Sequence, residues 1–513
     1  MEESLIEPKL ILEKALVTGL SALSVAFFVT VSHAAGRFAA YNLRVLDRIT
    51  EMSAADLNGD GLDDLLVIHT KGFPPASERW ISTFWQRPDG GFSTAADLAW
   101  RLPDSIVALD TGDIRADPGD DLIALTSSGV FRVAYTGSAA ALSLEPVIDV
   151  APVALPPSED DTPLLDFVQD WNGDGRDDVA VIGPGRLLIF NALQGGSFSG
   201  PDSVEIETRV NTLVDVSENG RKLDAISVTR RSPSFAPVDL DGDGDTDLAS
   251  YWDDQVRFHL RVDGLLSFKP GASVWLKLLE EEEKSNRDFD LGVSVMDVDG
   301  DGIADIFAGK STRRGVGDFF SSVVLYFGGG GLDFEREPDW ATSVKGTSRG
   351  HWIDLDGDGR RELMLPVVSL GITDIVRILL TKNVKVEFYF YFLSKGREIS
   401  QTPGFIKEVT LEVGLEEGGG AQAVDFSGDY NGDGRNDLVV GTGKNELSVF
   451  LGKEPSKGEL FDRKPEEKIP VDPFGDLRAM DLNGDGKDDM ILYYRDHPTM
   501  SSHARILVNL GSW

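Results

Sequence analysis

The chain contains no cysteine, which excludes disulfide bonds, thiolate metal sites and a lipid anchor attached through a cysteine. Basic residues are also scarce, since 49 Lys and Arg stand against 86 Asp and Glu and the net charge is −37. A protein this acidic lacks the basic surface that nucleic-acid binding requires, so we expect no nucleic-acid partner. What remains is a large surplus of carboxylates, and their arrangement is the informative feature of the chain.

The sequence also lacks the motifs that mark common catalytic sites. Six histidines are scattered along the chain, and none forms the H-E-x-x-H motif of zinc peptidases. No G-x-S-x-G nucleophile elbow occurs. Gly441–Lys444 resembles part of a phosphate-binding loop, but the upstream glycine and the following Ser or Thr are missing. The sequence therefore predicts no catalytic residue.

A nine-residue acidic segment recurs along nearly the whole chain, at intervals of 52 to 75 residues. Its first copy reads DLNGDGLDD, and seven copies are intact while an eighth, DIRADPGDD, is altered. Such a long period is typical of a repeat architecture. In chain order, loops 1 to 8 are Asp56–Asp64, Asp113–Asp121, Asp170–Asp178, Asp239–Asp247, Asp297–Asp305, Asp354–Glu362, Asp429–Asp437 and Asp481–Asp489.

The intact loops have the chemistry of calcium sites. Calcium prefers six to eight oxygen ligands, and positions 1, 3, 5 and 9 offer carboxylates or Asn amides. Position 7 varies freely, which fits a ligand that uses only its backbone carbonyl. The sequence predicts about seven calcium ions, with these ligands: Asp56, Asn58, Asp60, Leu62, Asp64; Asp170, Asn172, Asp174, Arg176, Asp178; Asp239, Asp241, Asp243, Asp245, Asp247; Asp297, Asp299, Asp301, Ile303, Asp305; Asp354, Asp356, Asp358, Arg360, Glu362; Asp429, Asn431, Asp433, Arg435, Asp437; Asp481, Asn483, Asp485, Lys487, Asp489.

The spacing separates these loops from other calcium motifs. An EF-hand needs an acid at position 12 and helices on both sides, whereas position 12 here is apolar or Ser in every intact loop. The altered loop 2 has Arg115 at position 3 and Pro118 at position 6. We expect loop 2 to bind no calcium and Arg115 to supply positive charge in place of the ion.

The segments around the loops predict an all-β fold. Each loop precedes an apolar β-rich run, a second strand and a Gly–Phe turn, and strands in groups of four at this period indicate propeller blades. The last repeat ends at Trp513 without its outer strand, and Ala39–Leu46 can supply that strand. The sequence predicts one β-propeller of eight four-stranded antiparallel blades closed by an N-terminal strand, or seven blades if the loop 2 repeat is not a blade.

These loops resemble those of the FG-GAP/VCBS repeat family, which includes the propeller head of integrin α-subunits. The resemblance covers nearly all of residues 36–513, although the FG and GAP tripeptides themselves are mostly absent. Seven intact loops exceed the number in an integrin head and point to the bacterial VCBS-like branch. That branch contains adhesins, lectins, enzyme accessory modules and polysaccharide lyases, so the resemblance implies calcium binding but not one function.

Residues 1–34 are predicted to be a signal peptide or membrane anchor preceding the propeller. The apolar run 15–31 is followed by small residues typical of a cleavage site, and cleavage after Ala34 would leave the closing strand intact. Acidic residues near the N-terminus are atypical of a signal peptide, so an uncleaved anchor through 15–31 stays open. Either alternative predicts a secreted, periplasmic or cell-surface protein.

Two repeats are longer than the others. The insertion at about 368–420 contains apolar residues with helical spacing from Ile372 to Leu380, followed by the aromatic strand Val384–Leu393. The other long repeat contains Arg209, Arg221, Arg230 and Arg231. Both are interpreted either as extra packing elements or as surfaces that recognise a ligand.

Three functions remain after these arguments. The first is a calcium-stabilised module that binds a protein or glycan, as an adhesin does. The second is a secreted polysaccharide-active enzyme of the lyase type, with its site at the mouth of the central channel. The third is a scaffold subunit of a surface complex that docks through 368–420. The absence of a catalytic motif favours the first.

Overall fold

Each acidic loop joins two antiparallel strands, and the strand after it is apolar at nearly every position. The strand after loop 1, Asp64–Lys71, is buried at its first seven residues. The strand after loop 2, Asp121–Thr126, is buried throughout. A strand that is buried on both faces requires a neighbouring layer on each side, so these sheets must stack face to face.

The computed structural model describes residues 34–72, 77–115, 117–134, 143–153, 162–216, 223–278, 289–315, 318–346, 350–368, 372–412, 423–442, 445–455, 458–471, 473–495, 497–511 and 513. The signal peptide or anchor predicted at 1–34 lies outside these residues, apart from Ala34. In the described part of the chain, no helix combines the length and the hydropathy needed to cross a membrane.

The described strands form eight blades of four antiparallel strands in a β-propeller, and loop n connects the first two strands of blade n. Blades 1 to 4 contain β3 Ile49–Ala55, β4 Asp64–Lys71, β5 Glu78–Phe84 and β6 Leu98–Arg101; β7 Ile106–Gly112, β8 Asp121–Thr126, β9 Gly129–Ala134 and β10 Ser143–Ile148; β11 Val168–Gln169, β12 Asp178–Gly183, β13 Arg186–Phe190 and β16 Asp202–Glu205; β19 Ser234–Val238, β20 Asp247–Trp252, β21 Gln255–His259 and β24 Ala272–Trp275.

Blades 5 to 8 follow the same plan. They contain β25 Phe289–Met296, β26 Asp305–Gly315, β27 Asp318–Tyr326 and β28 Trp340–Lys345; β29 His351–Ile353, β30 Glu362–Val368, β31 Asn383–Tyr391 and β32 Phe405–Glu412; β33 Val424–Asp425, β34 Leu438–Thr442, β35 Glu446–Phe450 and β36 Glu467–Pro470; β37 Asp476–Met480, β38 Asp489–Tyr493, β39 His503–Asn509 and β2 Phe38–Arg44. The short β1 Ala34–Ala35 extends blade 8 beyond β2.

The N-terminal strand closes the propeller as predicted. Strand β2 pairs antiparallel with β39 along its whole length, from Phe38 opposite Asn509 to Arg44 opposite His503. The loop 2 repeat forms an ordinary four-stranded blade, so the seven-blade alternative is wrong. Closure leaves the C-terminal strand covered by the N-terminal one, which removes an edge that could pair with other chains.

The hydrophobic core is divided among the blade interfaces. Eight clusters of buried side chains each combine residues from two successive blades, and one of them joins blade 8 to blade 1. In that cluster, Ile491 of blade 8 packs with Leu65 and Phe84 of blade 1. Each blade is therefore held mainly by its two neighbours, and the ring is continuous.

Additional elements occur in the two long repeats and at some blade turns. The repeat after loop 3 contains the hairpin β17 Arg209–Val216 and β18 Leu223–Arg231. The repeat after loop 6 contains helix α1 Ile372–Thr381, which confirms the helix predicted there. The small hairpins β14 Ala192–Leu193 with β15 Ser197–Phe198, and β22 Arg261–Val262 with β23 Leu265–Leu266, occur within blades 3 and 4.

Candidate metal centres

The Asp at position 1 shapes each intact acidic loop. In loop 1, Asp56 Oδ1 accepts hydrogen bonds from the backbone N–H groups of Gly59 and Asp60 at 2.8 and 3.1 Å. Asp56 Oδ2 accepts another from Gly61 at 2.9 Å. Gly59 and Gly61 have φ angles of 75° and 85°, which residues with a side chain rarely adopt. The sequence pattern thus folds into a tight turn around one carboxylate.

The acid at position 9 anchors each intact loop to its blade. Asp178 is fully buried, and its two carboxylate oxygens accept hydrogen bonds from the N–H groups of Trp171 and Ala192 at 3.2 and 2.7 Å. Trp171 is at position 2 of loop 3, and Ala192 follows the third strand of the blade. The position 9 carboxylate therefore connects the start of the loop to the segment that follows the third strand of the same blade.

Burial raises the pKa of all seven position 9 acids. Desolvation is the largest cause in each, and nearby loop carboxylates raise these pKa values further, while backbone hydrogen bonds lower them. The pKa is raised to about 6 in two loops and to about 7 in five: Asp178, Asp247; Asp64, Asp305, Glu362, Asp437, Asp489. A nearby divalent cation would favour the charged form of these groups and lower the same pKa values.

In three loops the structure brings the side chains of positions 1, 3 and 9 together, and the position 5 acids are not part of these clusters. In the three loops with Asp at position 3, one carboxylate oxygen from each of positions 1, 3 and 9 lies within 4.8 Å of the others. These groups are Asp239, Asp241, Asp247; Asp297, Asp299, Asp305; Asp354, Asp356, Glu362. In loop 1, position 3 is Asn58, and its amide nitrogen donates to both oxygens of Asp64 at 3.2 and 3.0 Å.

One of these carboxylates has a buried oxygen without a hydrogen-bond partner. Asp356 Oδ1, at position 3 of loop 6, is buried and has no hydrogen-bond partner. Burial raises the pKa of Asp356, and Asp358 raises it further. A buried carboxylate oxygen without a donor is costly, and a bound cation would satisfy it. The oxygen donors and this orphaned atom fit a hard divalent cation such as calcium.

Position 7 has a role that the sequence did not reveal. In loops 3, 6 and 7 its side chain is an arginine that forms an ion pair with the Asp at position 5 of the same loop: Arg176 with Asp174, Arg360 with Asp358, and Arg435 with Asp433. These side chains are partly exposed, so the pairs lie at the outer side of the loops. The expectation that position 7 contributes only its backbone omitted this charge.

In loop 2, the guanidinium of Arg115 lies between two acids. Its Nε contacts both oxygens of Asp121 at 2.9 Å, and its Nη2 is 2.7 Å from Asp117. These acids are at positions 9 and 5, where an intact loop has two of its predicted calcium ligands. The structure thus places a positive charge from the chain itself where the sequence analysis expected one.

Position 8 connects consecutive loops around the propeller, which the sequence analysis missed. The N–H of Asp63 in loop 1 donates to the carbonyl of Leu482 in loop 8 at 3.2 Å. The same bond, to the carbonyl at position 1 or 2 of the preceding loop, is made by Asp120, Ala304, Arg361, Asn436 and Asp488. These backbone hydrogen bonds connect six of the eight pairs of neighbouring loops.

One of the buried histidines packs inside blade 1. His69 is fully buried, and its Nε2 lies 2.9 Å from Ser82 Oγ. Burial lowers the pKa of His69 to about 4, so this ring is neutral at physiological pH. It stacks on Trp80 within blade 1, which is a packing role.

The inserted hairpin β17–β18 borders a surface cavity of about 260 Å³ between blades 4 and 5. The guanidinium of Arg209 lies 3.9 Å from the ring centroid of Trp252 and 2.5 Å from the carboxylate of Asp253. Arg231 and Tyr251 also line this cavity. Of the other predicted arginines, Arg221 and the side chain of Arg230 lie outside the described residues. The cavity thus combines aromatic and charged groups at an insertion, which suits ligand recognition.

Comparison with known proteins agrees with this fold. A profile of FG-GAP-like repeats matches residues 170–250 and 429–492, which contain loops 3, 4, 7 and 8. No curated protein sequence matches the chain.

Several solved structures match the chain over most of its length. A lectin from Agrocybe aegerita that recognises non-reducing terminal N-acetylglucosamine is 15% identical, with 90% of this chain and 100% of the lectin covered and a TM-score of 0.37. Sqt1 from Chaetomium thermophilum is 11% identical, with 92% and 100% covered and a TM-score of 0.36. The rhamnogalacturonan lyase YesW is 14% identical, with 92% and 73% covered and a TM-score of 0.31.

Proposed function

This chain carries FG-GAP-like repeats in an eight-bladed β-propeller, and we propose that it is a secreted or cell-surface recognition module that calcium stabilises. Calcium is assigned to the intact loops, with oxygens from positions 1, 3, 5 and 9 and the carbonyl of position 7. Extracellular modules bind calcium with dissociation constants of about 10⁻⁴ to 10⁻³ M, which suits loops that lie at the protein surface. The predicted leader at 1–34 is part of the same proposal.

The strongest support for calcium is the electrostatic cost of the loops without a cation, which a bound cation would offset. Without a cation, loops 4, 5 and 6 each gather three carboxylates, and loop 6 leaves Asp356 Oδ1 without a hydrogen-bond partner. With a cation, the same carboxylates become ligands and their mutual repulsion is offset. The ion would also brace strands one and two of each blade that has an intact loop, since positions 1 and 9 lie at the two ends of that loop.

Calcium binding is expected to strengthen as the pH rises from 5.5 to 7.5. The position 9 acids, with pKa values of about 6 to 7 in the metal-free fold, hold a proton below that range and must release it to bind the ion. The apparent affinity should fall by up to about tenfold per pH unit below the pKa at each site. Calorimetric titrations in two buffers of different ionisation enthalpy measure both the affinity and the protons released.

The same shifts have a consequence for the metal-free protein. Because the folded-state pKa of these acids exceeds the ordinary value of 3.8, the folded chain binds more protons than the unfolded chain between about pH 4 and 7. Metal-free stability should therefore decrease as the pH rises through that window, whereas added calcium should remove the decrease. Equal calcium affinity at pH 5.5 and 7.5, with no proton release, would contradict this assignment of position 9.

Ligand recognition is proposed for the cavity beside β17–β18. The observation that carries this part is the insertion itself, which adds a hairpin outside the four-stranded plan and places Arg209 over Trp252 at the cavity wall. Aromatic and arginine side chains are the groups that most often anchor protein ligands. A glycan would use the same aromatic faces and charged hydrogen-bonding groups. The proposed ligand is therefore a protein or a glycan that binds at this cavity.

Replacing Trp252 with Ala is expected to weaken ligand binding by about tenfold or more, because an aromatic anchor is lost from the cavity. A glycan array and a pull-down from extracellular material, both in millimolar calcium, identify the ligand for the measurement. The matched control is Trp80→Ala, which removes another tryptophan under a cation, here Lys71 at 5.5 Å, on blade 1. Equal loss of binding in both variants would place the ligand elsewhere.

A further inference from the structure

Among the described residues, loop 5 is the one intact loop whose carboxylates form ion pairs with a guanidinium from another blade. Arg397 belongs to the turn between β31 and β32 of blade 6, and its guanidinium forms ion pairs with Asp299 and Asp301. These acids are at positions 3 and 5 of loop 5 in blade 5. Arg397 is 96 residues away from Asp301 in sequence, so the contact arises only from the stacking of the two blades.

The contact reaches the interior of loop 5 and not only its rim. The side chain of Asp299 is only 6% exposed, and its counterpart at position 3 of loop 6 is the orphaned Asp356. Arg397 also donates through Nη1 to the carbonyl of Gly328 at 2.8 Å. The N–H of Gly328 holds the position 9 acid Asp305 at 2.6 Å. The guanidinium thus touches positions 3 and 5 directly and position 9 through one residue.

The geometry of the turn keeps the guanidinium there. Arg397 has a φ angle of 60°, which is uncommon for a residue with a side chain. The turn is closed by backbone bonds between Ser394 and Glu398 at 3.0 Å and between Arg397 and Ser394 at 3.1 Å. The guanidinium also lies 5.3 Å from the ring centroid of Phe327. Backbone, ring and carboxylates together point Arg397 into loop 5.

Loop 2 offers a comparison within the same chain. There, Arg115 contacts the position 5 and position 9 acids and so provides a charge to a loop that has lost its ligand pattern. Loop 5 retains every predicted ligand but receives a guanidinium from outside. The position 7 arginines differ, because each forms its ion pair with position 5 of its own loop and not with position 3, although Arg176 also donates to the carbonyl of Ala192 at 3.3 Å.

Resting on the proposed calcium function, we infer that Arg397 is a built-in competitor for the cation at loop 5, so that calcium binds there only when this guanidinium withdraws. Loops 1, 3, 4, 6, 7 and 8 then bind calcium as one tighter class, and loop 5 binds it at least about tenfold more weakly, because the ion pairs with Asp299 and Asp301 must first be broken. Filling loop 5 releases the turn at Ser394–Glu398 from blade 5. The site is thereby a switch that responds to high calcium.

The test counts calcium ions per chain by equilibrium dialysis and by calorimetry, on the full chain and on Arg397→Gln. The unaltered chain should show six tighter ions and a seventh that is at least about tenfold weaker, whereas Arg397→Gln should show seven tighter ions. The matched control is Arg360→Gln, which removes an arginine that contacts position 5 of its own loop and should leave the weak seventh site unchanged. Hydrogen exchange at residues 394–398 should increase only when the seventh ion binds.

The outcomes separate this inference from the proposed function. Seven ions of equal affinity in the unaltered chain would overturn the role of Arg397 and leave calcium binding intact. No bound calcium in any of the three proteins would overturn the calcium assignment itself. If Arg397→Gln does not fold, the affinity classes and the exchange of residues 394–398 in the unaltered chain still decide the question.

Discussion

Chelation of calcium is expected to lower the melting temperature of this protein by roughly 10 °C, which is the largest effect that its structure implies. Six loops of the tighter class contribute about 1.4 kcal/mol each when free calcium is tenfold above the dissociation constant, or about 8 kcal/mol together. This sum is comparable to the whole unfolding free energy of a typical domain. Differential scanning calorimetry with millimolar calcium and with a chelator measures the shift.

The large shift has a structural reason as well as a numerical one. The loops touch one another through the position 8 backbone bonds, as between Asp63 and Leu482 where the last blade meets the first. Each loop also holds two strands of its own blade through position 9. Loss of the ions would leave six groups of carboxylates repelling one another around a ring that no disulfide bond constrains, since cysteine is absent.

The controls for chelation distinguish coordination of calcium by the loops from the screening of their charges by salt. Sodium chloride at matched ionic strength should restore little of the melting temperature, because screening does not supply ligand bonds. Magnesium should restore less than calcium, since it demands a smaller, near-octahedral set of ligands and gives up its water reluctantly. An unchanged melting temperature in the chelator would mean that the loops are stable without a bound ion, and the structural role of calcium would have to be abandoned.

The features that the sequence could predict are those encoded within one repeat or at fixed spacing. The loops, the apolar strands after them and helix Ile372–Thr381 all follow from local periodicity, and the closing strand follows from the missing piece of the last repeat. Arg115 was also identifiable, because it stands inside the altered loop that it serves. In these cases the residues that interact are close in sequence or related by the repeat.

The features that could not be predicted depend on how blades stack. Arg397 reaches loop 5 from the next blade, and no repeat-wide pattern marks it. The bonds from position 8 join different repeats through the backbone, so the identity of the side chain carries no signal. The cavity under Arg209 likewise forms only when an inserted hairpin meets Trp252. Such contacts require knowledge of the register between neighbouring blades.

The second large effect concerns the closing strand, for which we expect Phe38→Ala to destabilise the protein by about 3 to 5 kcal/mol. Phe38 is fully buried in the cluster between blades 7 and 8, and its ring packs edge-on against Tyr430 and Trp513 at centroid distances of 6.1 and 5.8 Å. Removal of the ring leaves a cavity where the N-terminal strand meets both the last blade and its neighbour. Denaturant unfolding in saturating calcium measures the loss.

The position of Phe38 predicts more than a loss of stability. Strand β2 covers the edge of β39, so a weakened β2 that detaches exposes a long strand edge able to pair with other chains. Phe38→Ala should therefore aggregate at temperatures below its own unfolding transition, as light scattering would show. The control is Asn42→Ala, an exposed residue of the same strand, which should leave both stability and aggregation nearly unchanged. If Phe38→Ala unfolds like Asn42→Ala, the propeller is held closed by the backbone pairing of β2 alone and not by the packing of the side chains of β2.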